Sequence, residues 1–272
     1  MADHSPAPLP PDQPTVVSRS LCLASLILRG ILERAIQFPT GPELVGAHRE
    51  FAVRLSQWLN EQDFTANFTL DELAALSQGP GTWDPTHLDA QSRRNESLGV
   101  LFWALSIHQD FPPYDDPFEP PSLDPLLGWP QGALTHPNDE RLRNFPHVGT
   151  GWFKQVAQLR PAPVIASKRA AAECWQWRAH VAALQRTGVP APAGQDYATM
   201  IAIAAEEAHA AGAIPKPLEK DFPLFDTPFA KLTDDELAEA ATIAAGRRLA
   251  LDWLCGFATE WDNVPVANHT ST

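Results

Sequence analysis

Around residue 100 the chain reads Leu98-Gly99-Val100-Leu101-Phe102-Trp103-Ala104-Leu105, an almost uninterrupted apolar run. The run continues a helical pattern that starts at Asp84-Pro85, where the aspartate suits the N-cap and the proline suits the first helical position. A helix that is apolar all round has to be covered by other elements on most sides. We therefore predict a central core helix over residues 85–109.

Further helices are predicted on both sides of this core helix. Two capping boxes, Thr69-Leu70-Asp71-Glu72 and Thr233-Asp234-Asp235-Glu236, mark helix starts, because the threonine oxygen binds an orphan N–H and the glutamate reaches back to the cap. We find no useful run of alternating apolar and polar residues and no internal repeat. The predicted fold is all-α, a single multi-helix globular domain with helices at 16–38, 42–62, 69–78, 85–109, 164–187, 196–211 and 234–257.

Long proline-rich segments connect these helices and begin the chain. Residues 1–14 contain five prolines and little that could be buried, which predicts a disordered tail, a helical domain over 15–264 and a C-terminal tail over 265–272. Residues 110–147 are the longest irregular stretch, and their aromatic side chains indicate a segment that packs back onto the helical body. A second connector covers residues 214–232.

The chain is strongly acidic, which limits the partners it can bind. It has 20 Lys and Arg against 33 Asp and Glu, a net charge of −13. Such a charge repels phosphate backbones and anionic lipids, so we expect neither nucleic acid nor a membrane as partner. A basic protein, a small molecule or a metal ion fits this charge better, although solubility alone also explains it.

The cysteine spacing and the hydropathy of the chain indicate in which cellular compartment the protein is expected. Cys22, Cys174 and Cys255 are far apart and lie in apolar helical stretches, which predicts buried, reduced thiols. The apolar run at 21–28 is too short to cross a bilayer and is followed by charged residues, and the N-terminus lacks a basic leader pattern. The expected location is the cytoplasm.

Several short stretches, taken in order, resemble a known bacterial family. Glu96 and the apolar positions after it are part of this pattern, which extends over residues 19–264. The other matching stretches are Arg19-Ser20, Trp58-Leu59, Leu159-Arg160-Pro161, residues 175–178, Arg247, Ala250-Leu251-Asp252-Trp253-Leu254 and Trp261-Asp262-Asn263-Val264. The set is similar to the family known as domain of unknown function 4272. The resemblance implies no particular activity.

Common catalytic and metal-binding motifs give no strong lead. The sequence contains no Gly-x-Ser-x-Gly elbow, phosphate-binding loop or dinucleotide-binding turn. Glu206 and His209 form Glu-x-x-His on one helix, a spacing that di-iron bundles use twice together with two further glutamates. Because the motif occurs once here, we interpret it as a solvated helix face and predict neither a metal nor a cofactor.

Charged residues inside apolar helical stripes are the best candidates for a site. Glu96 shares a stripe with Trp103, Arg178 lies on another stripe, and Asp252 precedes Trp253. A buried charge is costly unless it is paired, so we predict a Glu96–Arg178 ion pair, within either a structural network or a pocket. The candidate ligand-binding residues are Glu96, Trp103, Arg178, Asp252, Trp253, Trp261 and Asp262.

Two classes of function remain open at this point. The first is a non-catalytic binding or interaction protein, for example an immunity or inhibitor protein with a basic partner, suggested by the charge and by the lack of motifs. The alternative is an enzyme or small-molecule binder whose pocket is lined by Glu96, Arg178, Asp252 and tryptophans. A concave pocket with converging charges would favour the alternative.

Overall fold

The computed structural model describes residues 9–61, 65–120 and 149–264. Two compact units are distinguished by the density of contacts. The described residues 12–61, 65–109, 119–120 and 149–159 form the N-terminal unit, and residues 9–11, 110–118 and 160–264 form the C-terminal unit. The predicted C-terminal tail at 265–272 and most of the predicted N-terminal tail lie outside the described residues.

Helices build the N-terminal unit, in agreement with the predicted all-α class. The helix α1 packs against both α2 and α4, and Leu98, Val100 and Leu101 of α4 are completely buried. The predicted core helix is therefore confirmed. The helices are α1 (Gln13–Gln37), α2 (Val45–Glu61), α3 (Leu70–Ser77), α4 (Pro85–Ala104) and α5 (Gly149–Val156).

The first helix begins earlier than the sequence pattern predicts. The Asp12 side chain accepts a hydrogen bond from Thr15 N at 3.0 Å, and Pro14 lies in the first turn of α1. Proline is tolerated there because the N–H that it lacks would have no helical partner. Gln13 also accepts a hydrogen bond from Leu159 N at 3.0 Å. The ordered region thus includes residues that were assigned to the tail.

Among the described helices, α1 is the one that could cross a membrane by length and composition alone. An 18-residue window has a mean hydropathy of 1.6, because α1 extends the apolar run on both sides of residues 21–28. In the structure 83% of that window is buried. Such burial is what the core helix of a folded protein requires.

The C-terminal unit has three long helices and a small hairpin. They are α6 (Ala162–Arg186), α7 (Tyr197–Ala210) and α8 (Asp234–Leu254), with strands β1 (Pro223–Leu224) and β2 (Thr227–Pro228) paired antiparallel. Phe225 and Asp226 form the hairpin turn with φ of 50° and 55°. The unit's core packs α6 and α8 around Trp175, Phe222 and Phe229.

Both predicted capping boxes are confirmed, at Thr69 and at Thr233. The ends of two helices differ from the prediction. Ser106 has a φ of 58°, so α4 ends at Ala104 instead of residue 109. Gly256, with a φ of 75°, ends α8 at Leu254 instead of 257. A glycine with positive φ commonly ends a helix, so its position can be predicted from the sequence. A serine in this conformation is uncommon, so the end of α4 could not be predicted in this way.

Candidate functional site

A cavity of about 450 Å³ lies within the C-terminal unit. Four segments form its walls: the segment Asp110–Phe118, which we call the strap, the first half of α6, the turn after α7, and β1. Other described cavities have volumes of about 340, 420 and 470 Å³, each with a single Phe or Trp in its lining. The aromatic lining, rather than the volume, therefore distinguishes this cavity.

Stacked aromatic rings form one wall of the cavity. Tyr114 of the strap stacks on Trp175 of α6, with ring centroids 4.9 Å apart and an angle of 19° between the rings. The edge of Phe222 meets Trp175 at 5.5 Å and 74°. Contacts of this kind stabilise aromatic clusters beyond the burial of area. The wall is therefore held in place from both sides before any ligand arrives.

A completely buried arginine on α8 holds the strap. Arg247 Nη1 donates to the carbonyl oxygens of Pro112 and Pro113 at 2.6 and 2.7 Å, and Nη2 donates to that of Asp116 at 3.0 Å. Its guanidinium also lies 4.8 Å from the centre of the Tyr114 ring. Proline has a carbonyl acceptor and no N–H donor of its own, and the planar, five-donor guanidinium can bind several carbonyl groups at once.

The cavity also carries a cation. Lys168 of α6 is half-buried, and its Nζ lies 5.3 Å from the centre of the Phe111 ring. Within the described part of the chain this ammonium makes no ion pair and no hydrogen bond. Asp115 also lines the cavity, but it is exposed to solvent. Lys168 therefore places a positive charge beside an aromatic wall, and the described residues provide no counter-ion for it.

Two further polar groups line the cavity. Burial, and next the neighbouring charge of Glu173, raise the pKa of the Cys174 thiol, so at neutral pH it stays protonated and is a poor nucleophile. The Nε1 atom of Trp175 is buried and has no acceptor among the described residues. A buried indole N–H usually has one. Trp175 thus lines the cavity, while its N–H is itself buried and has no acceptor among the described residues.

The residues predicted as a site do not form this cavity. Glu96 and Trp103 are buried in α4 of the N-terminal unit, whereas Arg178 and Asp252 are buried in the C-terminal unit. None of the four lines the cavity. Burial of the charged residues was predicted correctly, and a pocket shared by Glu96, Arg178 and Asp252 stays a prediction.

The predicted partner of Arg178 is wrong. Arg178 donates from Nε and Nη2 to the two carboxylate oxygens of Asp221 at 2.6 and 2.7 Å. Asp221 also accepts the backbone N–H groups of Phe222 at 2.7 Å and Ala230 at 2.9 Å. This carboxylate therefore ties α6 to both sides of the hairpin. Its place in an irregular connector gave no periodic pattern from which to predict the pair.

Asp252 belongs to a network of charges at the end of α8. It accepts hydrogen bonds from Arg248 Nε at 2.7 Å and from Arg169 Nε at 2.6 Å. Next to it, the rings of Trp253 and Trp261 meet edge to face, with centroids 5.3 Å apart. Asp262 is exposed. These groups stabilise the C-terminus of the helix and have no described connection to the cavity.

The N-terminal unit has two buried ion pairs that sequence reasoning missed. Glu33 pairs with Arg29 one turn away and also accepts the N–H groups of Gly81 at 2.9 Å and Trp83 at 3.2 Å. Glu72, which completes a capping box, also binds Arg19. An Arg-x-x-x-Glu spacing within the apolar stretch of α1 was the available sequence signal. The Arg29–Glu33 pair joins α1 to the loop at residues 81–83, and the Arg19–Glu72 pair joins α1 to α3, so both pairs are structural.

Glu206 and His209 are both exposed on α7, as the solvated-face interpretation predicts. Across residues 9–61, 65–120 and 149–264, no three or more His, Cys, Asp or Glu side chains converge to hold a metal ion. Cys22 is buried and Cys174 and Cys255 are half-buried, and all three thiols are free. The predicted reduced thiols are therefore confirmed, with complete burial only at Cys22.

Comparison with protein-family models, curated proteins and solved structures gives no match. The resemblance to domain of unknown function 4272 stays a prediction.

Proposed function

We propose that the C-terminal unit binds a small, flat, largely apolar molecule in the cavity between the strap and α6. The observation that carries this proposal is the stacked pair Tyr114–Trp175, which lines a cavity of about 450 Å³. Small-molecule sites typically measure roughly 300–1,000 Å³ and are lined by aromatic and apolar groups with few polar ones. This is the small-molecule alternative from the sequence, with a different set of lining residues.

Reversible binding fits the polar groups of the cavity better than covalent catalysis does. The Cys174 thiol has a raised pKa, and a protonated thiol is a weak nucleophile. The Ser167 side chain is exposed, and no histidine is among the described lining residues to serve as its base. The proposal is therefore a binding protein rather than an enzyme that forms covalent intermediates.

The cavity is stronger support for a small-molecule ligand than the net charge is for a basic protein partner. Several acidic groups are used within the structure: Glu33, Glu72, Asp221 and Asp252 each bind arginine. Asp12, Asp84 and Asp196 cap helices. Each of these ion pairs uses one cation together with one anion, so the net charge of −13 is unchanged, and a net charge alone does not mark a surface that binds a partner. Binding of a basic protein stays a prediction from composition.

Titration calorimetry with 3-methylindole tests the proposal. We expect saturable binding of one molecule per chain. Ala170→Leu should weaken it by roughly tenfold or more, about 1.4 kcal/mol, because the larger side chain occupies space at the cavity wall. The matched control is Ala166→Leu, on the same helix and also exposed but not lining the cavity, and it should leave the affinity unchanged. Equal effects of the two substitutions would contradict binding at this cavity.

A further inference from the structure

We infer that the ligand of this cavity is a planar molecule that carries one carboxylate group, and that Lys168 binds the carboxylate. The inference rests on the proposed function and extends it from the shape of the ligand to its charge. It depends on the environment of Lys168 and on that of Asp115.

Lys168 has a charge that the described protein does not neutralise. Its ammonium lies against the Phe111 ring at 5.3 Å and has no carboxylate partner among the described residues. The ring face attracts the cation only weakly compared with an anion. Because Lys168 makes no ion pair with the described residues, although the chain has 33 acidic residues, the ligand can supply its counter-charge.

Asp115 does not cancel this preference. It is exposed, so water and salt screen its charge, whereas Lys168 is half-buried beside an aromatic ring, where screening is weaker. An anion placed between the stacked wall and Lys168 therefore gains more from the lysine than it loses to the aspartate. A cationic ligand would be repelled by Lys168 more strongly than it is attracted by Asp115.

The chemistry of the cation also indicates the kind of anion. Phosphate and other multiply charged groups are typically held by arginine forks or by several cations. The described lining has Lys168 as its single cation, and the remaining wall is mostly aromatic, aliphatic and proline. One lysine at an aromatic wall suits a singly charged carboxylate attached to a planar ring.

Three probes with the same ring separate charge from shape. They are indole-3-propionate, neutral 3-methylindole and cationic tryptamine, each titrated into the full chain. We expect the propionate to bind roughly tenfold more tightly than 3-methylindole, and tryptamine to bind most weakly. Lys168→Met should abolish the preference for the propionate and still bind 3-methylindole. Lys220→Met removes the same charge from an exposed position outside the cavity lining and should preserve the preference.

The outcomes distinguish the two proposals. If 3-methylindole binds at the cavity but the three probes bind equally, or tryptamine binds best, the inference about the carboxylate is overturned and the proposed function stands. The same holds if Lys168→Met and Lys220→Met have equal effects. If none of the probes binds, the proposed function fails and the inference fails with it.

Discussion

Arg178 and Asp221 form the buried ion pair whose loss we expect to be most damaging in the C-terminal unit. Arg178→Met should lower the free energy of unfolding by about 3–5 kcal/mol, because it leaves the Asp221 carboxylate buried without its cation. Replacing both residues by apolar ones should recover only part of the loss, since the N–H groups of Phe222 and Ala230 lose their acceptor. Urea unfolding measures these changes.

An exposed ion pair in the same unit provides the control. Lys231 binds Glu219 at 2.5 Å with both side chains more than half exposed, so Lys231→Met should cost less than about 1 kcal/mol. The account of the buried pair is contradicted if Arg178→Met costs no more than this control.

Cys22 should make stability depend on alkaline pH. Burial raises its pKa from 9.0 to about 12, so the folded state holds the thiol proton more tightly than the unfolded state does. Its contribution is complete below pH 9 and is lost as the pH rises from 9 through about 12. Urea unfolding at pH 8 and at pH 10.5 should show a larger loss for the wild type than for Cys22→Ala. Equal losses would show that this thiol does not contribute.

For single residues, the sequence predicted which charged side chains are buried better than it predicted their ion-pair partners. Glu96, Arg178 and Asp252 are buried, as their positions on apolar stripes indicated. The partner of Arg178 could not be predicted, because Asp221 lies in a connector without periodicity. Ion pairs across long separations depend on how loops return to helices, and single-sequence patterns contain little of that information.

The strap is the element on which the cavity depends most. Arg247→Lys keeps a positive charge but cannot bind three carbonyl groups in the geometry of the guanidinium. We expect affinity for 3-methylindole to fall by roughly tenfold, about 1.4 kcal/mol, and the amides of Tyr114 and Asp115 to exchange hydrogen faster. Calorimetry and hydrogen-exchange mass spectrometry test the two effects.

Arg248→Lys is the matched control for the strap, because Arg248 is the next residue on α8 and binds Asp252 instead of the strap. It should leave both strap exchange and ligand affinity close to those of the wild type. An intact affinity in Arg247→Lys, with unchanged exchange, would show that the strap does not need this clamp.

Helices with a capping box or a long apolar pattern could be predicted from the sequence, whereas elements with neither could not. Capping boxes and apolar periodicity identified α3 and α8 because the cap hydrogen bonds are local. The hairpin β1–β2 has two residues in each strand, too few for an alternating pattern. The sequence before α5, His147-Val148, contains no residue type that commonly caps a helix, and this helix follows directly after the stretch predicted to be irregular.

At the scale of the whole molecule, the cavity is assembled from residues between 111 and 224 in four separate segments. No motif marks such a site, because each segment contributes a few ordinary aromatic, apolar or small residues. Helix patterns predicted α6 and α7, and the aromatic residues of 110–118 correctly indicated a segment that packs back onto helices. The sequence did not indicate that Arg247 binds this segment.

The chain's two tyrosines allow the binding proposal to be tested in one spectrum. Tyr114 lines the cavity, whereas Tyr197 donates to the carbonyl oxygens of Val189 and Pro190 and does not line it. With tyrosine rings labelled by carbon-13, addition of 3-methylindole should shift the Tyr114 signals and give nuclear Overhauser effects to that ring, while Tyr197 stays unchanged. Unchanged Tyr114 signals at a saturating concentration, or equal shifts of both tyrosines, would contradict the aromatic cavity as the ligand site.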